Sequence, residues 1–127
     1  MKSVKPKKAL GQHFLKDLQI AQRIADTLAD YRSTPVLEIG PGMGVLTQFL
    51  LEAGHDLTVV ELDMESVAYL EVNFPDLKGR ILPADFLKLD LAKVFKGDFC
   101  VMGNYPYNIS SQIFLKVLEY KDRIPCC

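Results

Sequence analysis

A short apolar run followed by three closely spaced glycines constrains the fold of this chain more than any other segment. Residues 36–39 have the composition of a buried strand, glycines at 40, 42 and 44 permit a tight turn, and residues 45–51 continue with helical periodicity. This strand, loop and helix arrangement predicts a nucleotide site, because a glycine backbone approaches a ligand closely and helix-terminal amides face it. Such amides suit a carboxylate as well as a phosphate, which is compatible with an amino-acid conjugate of a nucleoside. Val45 stands where a dinucleotide fingerprint needs its third glycine, and this disfavours NAD and FAD.

Acidic residues follow two further predicted strands. Glu61 comes directly after the run that starts at Leu57, where a ribose would lie against the glycine loop, and its carboxylate can accept from both ribose hydroxyls. Asp63 is better explained as the N-cap of the next helix. Asp85 follows the run from Arg80 and has two interpretations of similar weight, an acceptor for an adenine amino group or a turn and cap residue.

The sequence Asn104-Tyr105-Pro106-Tyr107, after a third apolar run, is suited to holding an amino group on an aromatic ring. The Asn104 carboxamide oxygen and the Tyr105 carbonyl can both accept from one exocyclic NH2, Pro106 keeps the turn rigid, and the Tyr107 ring can stack on a base. By itself the motif is equally compatible with an ordinary strand-to-helix turn. The glycine loop upstream favours chemistry on a nucleobase.

Five segments occur in order along nearly the whole chain: GQHFL at 11–15, EIGPGMGVLT at 38–47, VVELD at 59–63, ADFLKLD at 84–90 and GNYPYNISS at 103–111. Each is weakly specific alone, but together the chain resembles the ribosomal RNA adenine dimethyltransferases of the kasugamycin-sensitivity type. The resemblance implies S-adenosylmethionine as methyl donor. It also implies, as substrate, two adjacent adenosines near the 3′ end of small-subunit ribosomal RNA, each dimethylated at N6 during ribosome biogenesis.

The same resemblance implies a set of site residues. Donor contacts fall on His13, Leu15, Gly40, Glu61, Asp85 and Asn104, with Gly42 of the glycine turn added to the cofactor-binding set, and the base clamp falls on Asn104, Tyr105, Pro106 and Tyr107. Two positions depart from the family pattern. Tyr105 replaces a usual Leu or Ile, which leaves the clamp working because that residue contributes its backbone carbonyl. His13 replaces a frequent Asn and adds a group that titrates near neutrality.

The predicted fold class is α/β, a Rossmann-like S-adenosylmethionine-dependent methyltransferase fold with a mainly parallel sheet and flanking helices. Four strands are expected, near Val36, Leu57, Arg80 and Phe99, with the first inside the sheet and the fourth at its edge. Since the family continues through further strands and a helical domain, residues 1–127 are expected to be the N-terminal part of the methyltransferase domain. We expect such a piece to be inactive alone and to self-associate through its exposed sheet edge.

Apolar stripes predict three helices packed on the sheet. The first contains Leu18, Ala21, Ile24, Ala25 and Leu28; the second contains Leu46, Phe49 and Leu50 and is ended by Gly54; the third contains Ile113, Phe114, Val117 and Leu118. All of these side chains are predicted to belong to the core. Cys100, in another apolar run, is predicted to be a small core residue.

Charge and cysteine content indicate how the chain can bind RNA, whether it holds a metal, and where in the cell it is expected. A net charge of −1 offers no general attraction for polyanions, so RNA binding depends on local patches; the lysines at 2, 5, 7 and 8 are interpreted as a solvated tail. Three cysteines form neither a disulfide framework nor a zinc site, and no metal is predicted. These features, with no membrane-spanning or signal segment, predict a cytoplasmic location.

Three other functions are considered beside the small-subunit dimethyltransferase. A large-subunit enzyme of the macrolide-resistance type shares the motif types and stays open. A non-catalytic RNA-binding module of methyltransferase type would be expected to have a damaged clamp, whereas Asn104, Pro106 and Tyr107 are all present. A nicotinamide oxidoreductase is disfavoured by Val45.

Overall fold

The computed structural model describes residues 18–103 and 107–125, and at 107–109 the backbone alone. Four strands in this part form one parallel sheet: β1 (Val36–Ile39), β2 (Leu57–Val60), β3 (Ile81–Leu82) and β4 (Cys100–Gly103), in the order β3-β2-β1-β4. The predicted number of strands is confirmed, as is the interior position of the first strand and the edge position of the fourth. Phe99 itself precedes β4 and is fully buried.

Five α-helices connect or flank these strands in the described residues: α1 (Leu18–Asp26), α2 (Val45–Glu52), α3 (Met64–Asn73), α4 (Leu91–Val94) and α5 (Tyr107–Glu119). Single 3₁₀ turns lie at Ala29–Tyr31, Pro75–Leu77 and Phe86–Lys88. The N-cap predicted at Asp63 is confirmed, because its carboxylate accepts from the Ser66 backbone N–H at 3.2 Å.

Both faces of the sheet are covered, which explains why β1 is buried at all four positions. Val36 packs on one side in a cluster with α1 and α2, and Leu37 packs on the other side with α5 and the segment around Phe86. Cys100 belongs to the first cluster, as predicted. The sheet is therefore the middle layer of three.

The apolar stripes were correct in part. Ala21, Ala25 and Leu28 are buried, but Leu18 at the start of α1 is 55% exposed. In α5, Ile113 and Val117 are buried, whereas Phe114 and Leu118 are 58% and 45% exposed. The assignment of Leu18, Phe114 and Leu118 to the core is therefore wrong within the described part of the chain. Residues 113 and 117 are four apart and share the face toward the sheet. Residues 114 and 118 each follow one of them and are rotated about the helix axis by about 100° away from that face.

Parallel strands place their carboxyl ends along one edge of the sheet, and the loops that follow carry the predicted site residues. Ile39 lies opposite Val60 and Gly103 in register, and Val60 lies opposite Leu82. The glycine loop, Glu61 and the Asp85 segment therefore begin at the same edge, although 45 residues separate Gly40 from Asp85 in sequence.

Candidate nucleoside and methyl-transfer site

The loop between β1 and α2 depends on its glycines. Gly40, Gly42 and Gly44 have φ values of 63°, 58° and 83°, in the left-handed region that side chains rarely adopt. The Gly40 N–H donates to the Val60 carbonyl at 2.9 Å, and the Gly44 N–H donates to the Pro41 carbonyl at 2.9 Å. The loop is thus a tight turn that has no side chain at three positions.

Glu61 connects this loop to the end of β2. It is buried, and its Oε1 accepts from the Gly42 N–H at 2.9 Å while its Oε2 accepts from the Asp63 N–H at 3.0 Å. The structure therefore brings together Gly42 and Glu61, two residues predicted to act on one ligand. Each carboxylate oxygen has a further lone pair, so these two bonds leave acceptor capacity for hydroxyl groups.

Asp85 is half-buried and caps the 3₁₀ turn Phe86–Lys88, with its Oδ1 accepting from the Leu87 N–H at 3.0 Å. The cap interpretation of this acid is confirmed. Its second interpretation, an acceptor for a nucleobase amino group, stays a prediction. The cap holds the carboxylate at the end of β3, in the loop next to Glu61 along the sheet edge.

Glu38, in the middle of β1, was not predicted as a site residue. Its side chain is 1% exposed and accepts from the Thr47 hydroxyl at 2.6 Å. The pKa of Glu38 is raised from 4.5 to about 8. Burial is the largest cause, the Thr47 hydrogen bond acts against it, and the negative charge of Glu61 adds to it. Glu38 is thus a neutral acid at pH 7 that ties β1 to α2 beneath the glycine loop. The sequence signal was a lone carboxylate inside an apolar strand.

Five of the predicted site residues lie outside the described residues: His13, Leu15, Asn104, Tyr105 and Pro106. Tyr107 is the first residue of α5, but the structure describes only its backbone. The clamp prediction is therefore untested by this geometry. The described residues show only that β4 ends at Gly103, at the same edge as the glycine loop, and that α5 starts four residues later.

The parallel order of strands, the glycine turn after β1 and the acid after β2 define a class of protein, the Rossmann-like α/β proteins that bind a ligand at the carboxyl edge of the sheet. Solved structures with this fold include two proteins related to RNA methylation by name. A putative RNA methyltransferase from Pyrococcus horikoshii is 24% identical with a TM-score of 0.60, covering 84% of this chain and 52% of that one. A dimethyladenosine transferase from Plasmodium falciparum is 24% identical with a TM-score of 0.55, covering 76% and 36%.

Sequence comparison identifies the family of the chain. The family model described as ribosomal RNA adenine dimethylase matches residues 3–125, and the chain belongs to this family. It is 84% identical over 127 residues to a curated protein of Parabacteroides distasonis named ribosomal RNA small subunit methyltransferase A. The alignment covers all of this chain and 48% of that protein. The chain thus spans about half the length of the curated relatives it matches.

Two further properties concern the described residues alone. None of their helices has the length and apolar character needed to cross a membrane. Within the same part of the chain, no cluster of three or more His, Cys, Asp or Glu side chains is arranged to hold a metal ion.

Proposed function

We propose that residues 1–127 form the S-adenosylmethionine-binding, N-terminal part of an enzyme that dimethylates N6 of two adjacent adenosines in small-subunit ribosomal RNA. The observation that carries the proposal is the hydrogen bond from the Gly42 N–H to the Glu61 carboxylate. It places a carboxylate that can accept from two ribose hydroxyls beside a glycine loop at the edge of a parallel sheet. Family membership and the printed name of the Parabacteroides relative support the reaction and the RNA class.

The described residues fit the methyl donor. The loop at Gly40 and Gly42 gives backbone access without side chains, Glu61 retains acceptor capacity for the ribose hydroxyls, and Asp85 is a carboxylate at the neighbouring strand end. His13, Leu15 and Asn104 are proposed as its remaining contacts. When bound, the donor supplies an electrophilic methyl group on a sulfonium.

The chemistry proposed for the clamp is positioning. Tyr107 would stack against the extruded adenine, while the Asn104 side chain and the Tyr105 carbonyl accept from its NH2, with Pro106 keeping the turn rigid. Both acceptors would direct the N6 electron pair toward the methyl carbon. No general base is required, because the nitrogen becomes acidic once alkylated and releases its proton to water.

Ribosomal RNA of the small subunit, or a precursor particle, is the proposed partner, and the cytoplasm is the proposed location. The small-subunit target is preferred over the large-subunit target because the curated relative carries the small-subunit name. The part of those relatives that this chain does not span is expected to contribute to RNA binding.

Calorimetry on the chain with S-adenosylmethionine, S-adenosylhomocysteine and NAD tests the cofactor site. We expect both sulfur ligands to bind in preference to NAD, and Glu61→Ala to weaken them by roughly 1.5 to 3 kcal/mol for each bond lost to the charged group. Glu52→Ala removes an exposed acid from the opposite end of α2 and should leave the affinity unchanged. Preferential binding of NAD would refute the proposed cofactor.

A further inference from the structure

The turn that carries Asp85 is held from a distance by a lysine of α5. The Lys116 ammonium donates to the backbone carbonyls of Phe86 and Leu89, 30 and 27 residues earlier in the chain. Those carbonyls lie at the start of the 3₁₀ turn and just beyond its end. One side chain therefore fixes both ends of the segment that Asp85 caps.

The Lys116 ammonium, called the anchor below, has further partners around it. Its Nζ lies 4.9 Å from the centroid of the Phe86 ring, and that ring is buried in the core cluster beneath the turn. Desolvation lowers the pKa of Lys116, and the negative charges of Glu119, Asp85 and Asp90 act in the opposite direction. The ammonium is therefore compensated by carbonyls, a ring face and carboxylates, and Asp85 is among the charges that interact with it.

The anchor joins two parts of the proposed site. α5 starts at Tyr107, in the proposed base clamp, and Lys116 lies on the same helix nine residues later. We propose that Lys116 is a positioning residue, which holds the 85–89 turn so that the Asp85 carboxylate accepts from the adenine amino group of the methyl donor. This inference rests on the nucleoside site of the proposed function and adds a residue that does not itself contact the ligand.

The test measures discrimination at the adenine amino group. Calorimetry on the full chain compares S-adenosylhomocysteine with the purine analogue that carries hydrogen in place of that group. We expect the unsubstituted chain to prefer the adenosyl ligand by roughly 10- to 100-fold, the range for a hydrogen bond to a charged group. Asp85→Ala, which removes the acceptor, and Lys116→Met should each bring the ratio close to one. Lys116→Arg keeps the charge and the donors, and should restore much of it.

Lys121→Met is the matched control, since it removes an exposed lysine just after the same helix and should leave the ratio unchanged. Should Lys116→Met fail to fold, Lys116→Gln decides, because its amide tolerates the polar surroundings but is too short to reach both carbonyls. A folded Lys116→Met variant that keeps full discrimination while Asp85→Ala loses it would overturn the role of Lys116 alone. Equal binding of both ligands by the unsubstituted chain would overturn the inference and leave the nucleoside site standing. Binding of neither ligand would overturn the proposed nucleoside site, and the inference with it.

Discussion

Gly44 is restricted both by its backbone conformation and by a neighbouring aromatic ring. Its φ is 83°, and a Cβ at this position would lie 2.4 Å from the Phe74 ring, which packs against the core. Gly54 has nearly the same φ, 82°, but a Cβ there would meet no atom within 4 Å. The two glycines separate the cost of conformation from the cost of crowding.

We therefore expect Gly54→Ala to reduce the free energy of unfolding by about 1–2 kcal/mol, the cost of a left-handed residue with a side chain. Gly44→Ala should lose about 1–3 kcal/mol more, because the Phe74 ring must move from its packed position. Urea denaturation of both variants measures the difference. Equal losses would show that the ring gives way without cost and that crowding does not restrict Gly44.

Glu38 should make stability depend on pH in a direction opposite to most carboxylates. Its pKa is 4.5 in the unfolded chain and about 8 in the folded state. The stability it contributes is therefore complete below pH 4.5 and is lost as the pH rises to about 8. Glu38→Gln cannot ionise and keeps an oxygen that accepts from Thr47.

Relative to the unsubstituted chain, Glu38→Gln should become progressively more stable between pH 5 and pH 8, by at most a few kcal/mol. Denaturation at several pH values measures this, with the exposed Glu52→Gln as control for a general loss of negative charge. A constant difference between the two proteins across this range would show that Glu38 is ionised in the folded state.

Among the elements, β4 and α5 are the two that border the proposed base clamp. β4 pairs with β1 in register, so that Gly103 lies beside Ile39 at the end of the sheet where the glycine loop begins. The proposed clamp follows immediately in the chain. A change in the clamp should therefore affect transfer of the methyl group more than binding of its donor.

This is testable in a chimera that joins this chain to the remainder of the Parabacteroides relative. Asn104→Ala should suppress methylation of small-subunit particles while donor affinity falls less, and Tyr107→Ala should lose stacking of on the order of 1–3 kcal/mol. Tyr107→Phe keeps the ring and is the matched control. Methylation by Asn104→Ala at the unmutated rate would show that the clamp is wrongly assigned.

At the scale of the described structure as a whole, α5 has an exposed apolar face. β4 is a terminal strand of the sheet in the part described, and next to it α5 exposes Phe114, Leu115 and Leu118. Terminal strands and contiguous apolar surfaces recruit partners. The curated relatives have about as much chain again as the part that matches here.

We expect the 127-residue chain to self-associate or to be poorly soluble, and not to methylate ribosomal RNA alone. Light scattering across a concentration series measures association, and a methyl-transfer assay on small-subunit particles measures activity. The pair Phe114→Lys and Leu118→Lys should reduce association, whereas Val72→Lys, at an exposed apolar residue of α3, should not. A monomeric and fully active chain would contradict this expectation.

Local sequence determined a large part of this protein. The strand and helix periods, the glycine turn and the cap at Asp63 depend on interactions within a few residues, and the structure confirms them. The interior position of the first strand and the edge position of the fourth followed from the fold class that the motifs indicated. The roles of His13 and Asn104 stay predictions, because those residues lie outside the described part.

Tertiary structure alone decided the contacts between distant segments. The Glu61 bond to the Gly42 N–H spans 19 residues and the Lys116 bonds span about 30, so no local pattern predicts them. The raised pKa of Glu38 and the exposure of Phe114 likewise depend on what other elements cover. Periodicity identifies an apolar face, but burial requires a neighbour to pack against it, and only the assembled fold supplies or withholds that neighbour.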